Sequence, residues 1–160
     1  DAPIFYLHGW GDAGTTFQFV VDALGSDHRV IAPDWRGFGR SGHAGPAYWF
    51  PDYLADLDAL IHDFAADAPV LLVGHSMGAN VAGLYAAAMP ERVRGFVNVE
   101  GFGLSESEPA TAPEHYRRWL TRSRTPQAFS TFENFDGLVE RIVRRSPRLS
   151  EARARFVARE

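Results

Sequence analysis

Four short apolar runs, each stopped near a glycine or a proline, restrict this chain more than any other feature. Ile4 to Leu7 ends at His8-Gly9, Arg29 to Ala32 at Pro33-Asp34, Val70 to Val73 at Gly74, and Phe96 to Val99 near Gly101. Runs this short and this apolar suit buried strands of a parallel sheet. Amphipathic stretches separate them. Phe17, Val20, Val21 and Leu24 recur at helical spacing, and Thr15 or Thr16 is placed to cap that helix. Tyr53, Leu57, Leu60, Ile61 and Phe64 form a second stripe, with Asp52 in the first turn, where the helix dipole favours an acid. Met77 to Met89 is rich in alanine and apolar on most sides, which predicts a buried helix, and Pro90 ends it. Strand and helix in alternation predict an α/β fold with four parallel strands flanked by helices.

The pattern changes after Gly103. Ser105 to Pro113 is polar and contains proline, so it reads as a linker between residues 1–103 and 104–160. Three amphipathic helices follow without a strand. Thr111 and Glu114 have capping-box spacing ahead of Tyr116, Trp119 and Leu120. Phe135, Leu138, Val139, Ile142 and Val143 mark the second helix, and Leu149, Phe156 and Val157 the third. Charge divides at the same place: residues 1–103 carry 5 Arg against 12 acids, and residues 104–160 carry 11 Arg against 8 acids. A basic half can mean nucleic acid, but acids interleaved with these arginines at helical spacing read as ordinary solvated faces. No nucleic-acid partner is expected.

At 160 residues the chain is one domain or part of one. No apolar run approaches the ~20 residues of a spanning helix, so no membrane partner is expected. The absence of cysteine excludes disulfides, thiolate metal sites and a cysteine nucleophile. No metal-ligand spacing is present, and no metal or organic cofactor is expected. With no signal peptide visible, a cytoplasmic protein is the default expectation; the opening on Asp1 rather than Met suggests that the natural start lies upstream.

The chemistry concentrates in Gly74-His75-Ser76-Met77-Gly78. A G-x-S-x-G alone is common, but here it joins a buried strand to a small-residue helix, the context of a nucleophile elbow. A sharp turn there exposes the Ser76 hydroxyl, the glycines admit neighbouring backbone, and the new helix aims its positive end at a developing oxyanion. His8-Gly9-Trp10-Gly11 follows the first strand, where an oxyanion loop belongs. The expected donors are the backbone N–H groups of Met77 and Trp10. Gly9, Trp10, His75 and Phe102 are the expected substrate contacts. His8 is expected to brace its loop rather than transfer protons, and the His75 side chain to point away from Ser76. In the loop Asp34-Trp35-Arg36-Gly37-Phe38-Gly39-Arg40-Ser41-Gly42, Asp34 and Arg36 are expected to pair. The loop lacks Lys and the spacing of a phosphate cradle, and Ser41 lacks an elbow's context.

These three motifs, in this order, resemble the α/β-hydrolase fold family over residues 1 to about 103, in the branch of esterases, epoxide hydrolases, dehalogenases and carbon–carbon bond hydrolases. The resemblance implies that residues 104–160 are a helical cap. Dehalogenases and epoxide hydrolases of the branch use an aspartate nucleophile; Ser76 implies acyl chemistry. A serine esterase with a small-molecule acyl substrate is the first expectation, apolar if Tyr116, Trp119 and Leu120 face it. Another reaction on the same fold, such as carbon–carbon hydrolysis or acyl transfer, and a non-catalytic ligand-binding homologue are the alternatives. The family places its histidine after the last strand and its acid usually after the seventh. By that resemblance the chain lacks two strands at each end and the catalytic histidine. Some members place the acid after the strand that follows the elbow, which makes Glu100 a candidate, with a structural carboxylate as the competing role. His115, the only histidine after Ser76, sits beside Tyr116 and Arg117 on a cap helix and is not expected to be the base.

Overall fold

The computed structural model describes residues 2–43, 48–103, 108–124 and 132–159. They form two compact units, residues 2–102 and 103–159. The first unit holds four parallel strands, β1 (Ile4–Leu7), β2 (Val30–Ile31), β3 (Val70–His75) and β4 (Val93–Val99), in the order β2-β1-β3-β4. All four apolar runs are strands. β2 is shorter than its run, whereas β3 and β4 are longer. The additional pairing comes from register: Leu71↔Gly95 through His75↔Val99 gives hydrogen-bonding partners to residues that hydropathy alone leaves out. β1 pairs with β3 from Ile4↔Leu71 to Leu7↔Gly74, so both strands deliver their carboxyl ends to one edge.

Helices fill the connections: α1 (Gln18–Leu24), α2 (Phe50–Ala65) and α3 (Met77–Ala88). Alternate residues of the central strands, Phe5 and Leu7 with Val70 and Leu72, pack with Tyr53, Leu57 and Ile61 of α2 and with Val81, Ala82 and Tyr85 of α3. Full burial of each Phe, Leu, Ile and Val side chain among them contributes roughly 1.5–3 kcal/mol. Tyr6 meets Phe17 at 5.0 Å, consistent with its opposite position in the strand alternation. Asp52 heads α2 as its position predicts, accepting from the Trp49 N–H at 2.9 Å.

Two expected caps differ. Neither Thr15 nor Thr16 caps α1. A 3-10 turn, Gly14–Phe17, precedes the helix, and Thr16 Oγ1 donates to Ala13 O inside it. Four further expectations of burial are corrected. Val20 and Leu24 are exposed on α1; Phe64 is exposed near the end of α2; Phe96, Val97 and Val99 are exposed on β4; and Leu84 is exposed on α3. Outer position explains β4: its pairing partner among the described strands lies on one side only.

The second unit is helical: α4 (Ala112–Ser123), α5 (Phe135–Arg145) and α6 (Glu151–Arg159). Of the expected linker, residues 105–107 lie outside the described residues; Pro109–Thr111 is a 3-10 turn, and Pro113 is in α4. The Thr111–Glu114 capping box does not form. Thr111 already has helical angles and its Oγ1 donates to Glu108 O, while Glu114 pairs with Arg117 and Arg118. Asn134 caps α5 instead, accepting from the Gly137 N–H at 2.9 Å. Asp136 of α5 meets Arg155 of α6 at 2.9 Å beside buried Val139 and Ala154. Among the described residues no helix is long and apolar enough to cross a membrane.

Candidate active site

β3 ends at His75 and α3 begins at Met77, which leaves Ser76 alone at the turn with φ 49° and ψ −113°. A left-handed φ costs a residue with a Cβ on the order of 1 kcal/mol or more, so neighbouring contacts must hold it. They do so from both sides. The Ser76 N–H donates to Val99 O at 2.8 Å, and Ser76 O accepts from the N–H groups of Ala79 and Asn80 at 3.1 Å. The two motif glycines are there for room. A Cβ on Gly78 would strike the carbonyls of Leu7 and His8, and one on Gly74 would strike the backbone of Ala79. The head of α3 therefore lies directly against the end of β1 and the loop that leaves it. Met77 N–H, at that head, has no carbonyl a turn earlier to bind.

Gly9 completes the approach. A Cβ there would lie 3.0 Å from His75 Nδ1 and 3.2 Å from Ser76 Cβ. The structure thus brings Gly9, His75 and Ser76 together. The His75 Nδ1 flanks Gly9 beside Ser76 Cβ, while its Nε2 is directed at Glu100. Trp10 is 65% exposed, with its ring edge-on to Phe38 at 5.0 Å. Phe102, at 89% exposure, packs against nothing in its own unit that would hide it.

Glu100 has the same backbone peculiarity as Ser76, with φ 59°. Asn98 holds that bend from two directions: its Oδ1 accepts from the Gly101 N–H at 2.7 Å, and its Nδ2 donates to Gly101 O at 2.8 Å. Glu100 Oε2 lies 3.9 Å from His75 Nε2, a loose approach between two exposed side chains. Sequence reading missed Asn98, whose side chain bonds the backbone three residues on, one residue beyond the reach of an Asx turn.

His8 is fully buried and braces its loop through backbone bonds. Its Nε2 accepts from the Trp35 N–H at 2.9 Å, and its Nδ1 meets Gly9 O at 2.8 Å. Burial pushes its pKa down; the Gly9 bond and the carboxylates of Asp12 and Asp34 oppose that shift without reversing it, and His75 reinforces it. The expected Asp34–Arg36 pair does not form. Arg36 makes a two-pronged bond to Asp56 at 2.6 Å, with Asp52 at 3.6 Å, because α2 presents carboxylates that fit its planar fork. Asp34 turns to backbone donors, the N–H groups of Gly14 at 2.7 Å and Arg40 at 2.8 Å. Ser41 Oγ donates to Asp34 O and is a loop tie. His115 is on α4, in the other unit, at an exposed position. Among the described residues no cluster of three potential metal ligands occurs.

Comparison with known proteins agrees with this geometry. The chain is 38% identical to a serine hydrolase-like protein of Danio rerio over 66% of its own length and 33% of that protein's. It is 32% identical to a pimeloyl-[acyl-carrier protein] methyl ester esterase of Vibrio atlanticus, over 86% of this chain and 50% of that one. It superposes on the thioesterase domain from the curacin biosynthetic pathway with a TM-score of 0.86 and 29% identity, covering 99% of this chain and 56% of that one. The chain thus spans a third to about half of the length of these relatives. A sequence model of the alpha/beta hydrolase fold matches residues 2–144, nearly the whole chain, and with the parallel sheet and the turn at Ser76 it establishes that this chain belongs to the α/β-hydrolase fold family.

Proposed function

We propose that this chain supplies the nucleophile and the oxyanion-binding loop of a serine hydrolase that cleaves an ester or related acyl bond of a small molecule. The observation that carries the reading is the left-handed Ser76 between β3 and α3, pinned by Val99 O and backed by a glycine pressed on β1. A binding protein has no need of a serine in that conformation. An esterase and a thioesterase among the relatives favour acyl substrates. Ser76 Oγ attacks the carbonyl carbon, and the N–H groups of Met77 and Trp10 receive the oxyanion. A histidine takes the serine's proton and returns it to the leaving group; water then releases the acyl group from Ser76. Glu100 is the proposed acid that orients that histidine, supported by its held left-handed bend at the carboxyl end of β4. Residues 104–160 are the proposed helical cap.

Among the described residues no hydrogen bond joins Ser76 to a histidine: His8 is engaged with backbone, His43 with Tyr48, and His75 approaches Glu100. The base is proposed to come from outside residues 1–160, so this segment alone should turn over p-nitrophenyl esters negligibly. In the full-length protein a fluorophosphonate should label Ser76, and Ser76→Ala should abolish both labelling and ester turnover. Absence of labelling would favour the ligand-binding alternative. Robust turnover by residues 1–160 that Ser76→Ala removes would refute an external base.

A further inference from the structure

Both ring nitrogens of His8 are committed, and the two bonds together fix its protonation. The Trp35 N–H can only donate, so Nε2 must hold a lone pair. The single proton of the neutral ring then sits on Nδ1 and is donated to Gly9 O. The Trp35 indole closes the arrangement, its Nε1–H donating to His8 O at 3.0 Å. Gly9 O is the oxygen of the peptide that joins Gly9 to Trp10. No described peptide bond is cis, and in a planar trans peptide the C=O and the N–H point in opposite directions. Whatever fixes Gly9 O therefore fixes the Trp10 N–H as well. This peptide needs fixing. Glycine precedes it, and Gly11, with φ 69°, has nothing near its Cβ position. Gly9 is also the residue that bears on Ser76 Cβ.

We propose that His8 is the positioning residue of the oxyanion loop: its Nδ1–H holds the Gly9 carbonyl so that the Trp10 N–H faces the oxyanion at Ser76, and its Nε2 anchors that setting to Trp35. The proposal rests on the assignment of Ser76 and Trp10 above and adds what aims the donor. It has an acid consequence. A second proton would sit on Nε2 and oppose the Trp35 N–H, donor against donor. The groups that face the ring are the carboxylates of Asp12 and Asp34, which favour that proton, and His75, which opposes it. The rings of Trp35 and Phe38, at 6.2 Å and 5.6 Å, keep water away. His8 therefore stays neutral to a pH below the ordinary imidazole range, and protonation there releases the loop from Trp35.

Two arms test this in the full-length protein. In ¹⁵N NMR of the wild type, the His8 ring should show the Nδ1–H tautomer, and the Trp10 and Trp35 amide signals should move with the His8 ring at one midpoint below about 6.5. An Nε2–H ring, or a Trp10 amide that stays fixed while His8 titrates, overturns the proposal. The second arm separates the two nitrogens. His8→Asn keeps a donor near Nδ1, whereas His8→Gln keeps an acceptor near Nε2 and loses the donor to Gly9 O. Fluorophosphonate labelling of Ser76 should slow roughly ten- to a hundredfold in His8→Gln and only about threefold in His8→Asn. Equal losses, or a larger loss in His8→Asn, would mean a merely structural histidine and would overturn the proposal. An unlabelled wild type sinks the nucleophile assignment instead, and the NMR arm still decides the role of His8. The same arm decides if neither variant folds.

Discussion

Ser76 and Glu100 are two non-glycine residues at the carboxyl edge of the sheet that carry left-handed backbone. That shared strain is a stability cost with a use, and it can be removed at one of them without touching the other. Glu100→Gly should raise stability by about 0.5–1 kcal/mol, read as a higher urea midpoint, while ester turnover of the full-length protein falls. A variant less stable than the wild type would show that Glu100 is held by contacts rather than strained. Gly78→Ala should act in the opposite direction. Its Cβ has only the carbonyls of Leu7 and His8 to meet, neither of which can yield cheaply, so a loss of roughly 1–3 kcal/mol is expected in the same measurement.

At the scale of elements, what the sequence made legible was what local pattern determines. Strand runs and the α2 stripe were visible because burial on a sheet face or a helix face leaves a periodic record. The elbow was visible because strand, Gly-x-Ser-x-Gly and small-residue helix are contiguous. Arg36's partners were hidden because Asp52 and Asp56 reach it only after α2 packs beside the loop; proximity in sequence favoured Asp34, which backbone donors claim instead. Thr16 and Thr111 failed as caps because each side chain turns to a carbonyl of the 3-10 turn that precedes its helix. The bend after β4 is a small element of its own, made by Asn98. Asn98→Ala should cost about 1–2 kcal/mol and let Glu100 relax from positive φ, visible as a change in its HN–Hα coupling. An unchanged coupling would show that the bend is held elsewhere.

For the molecule as a whole, two buried groups limit stability at opposite ends of the pH scale. His8 has its pKa lowered by burial. The unfolded chain then takes up the proton first, so stability is full above about 6.5 and declines as the pH falls below it. Tyr85 is raised to about 12 by burial and by donation to Asp58, so its contribution is lost as the pH rises from the ordinary value of 10.0 toward about 12. Urea midpoints across pH should show both declines; His8→Gln should flatten the acid one and Tyr85→Phe the alkaline one. The exposed apolar β4 makes a separate prediction: residues 1–160 should self-associate with concentration, and Val97→Lys should reduce this in light scattering. Association unchanged by that lysine would place the sticky surface elsewhere.

The register of β1 on β3 has one more consequence. Leu7↔Gly74 joins positions more than sixty residues apart, with β2 and α2 threaded between them. Contacts this distant in the chain come late and cooperatively during folding, since closing the intervening loop costs entropy before any reward. His8, Gly9 and Ser76 meet only when that closure is made. A partly folded chain can have α3, α2 and even a collapsed interior, yet it lacks the Trp10 donor opposite the serine. Covalent labelling of Ser76 would therefore clock the final docking of the two central strands during refolding, a step that helix content measured by circular dichroism would have passed already.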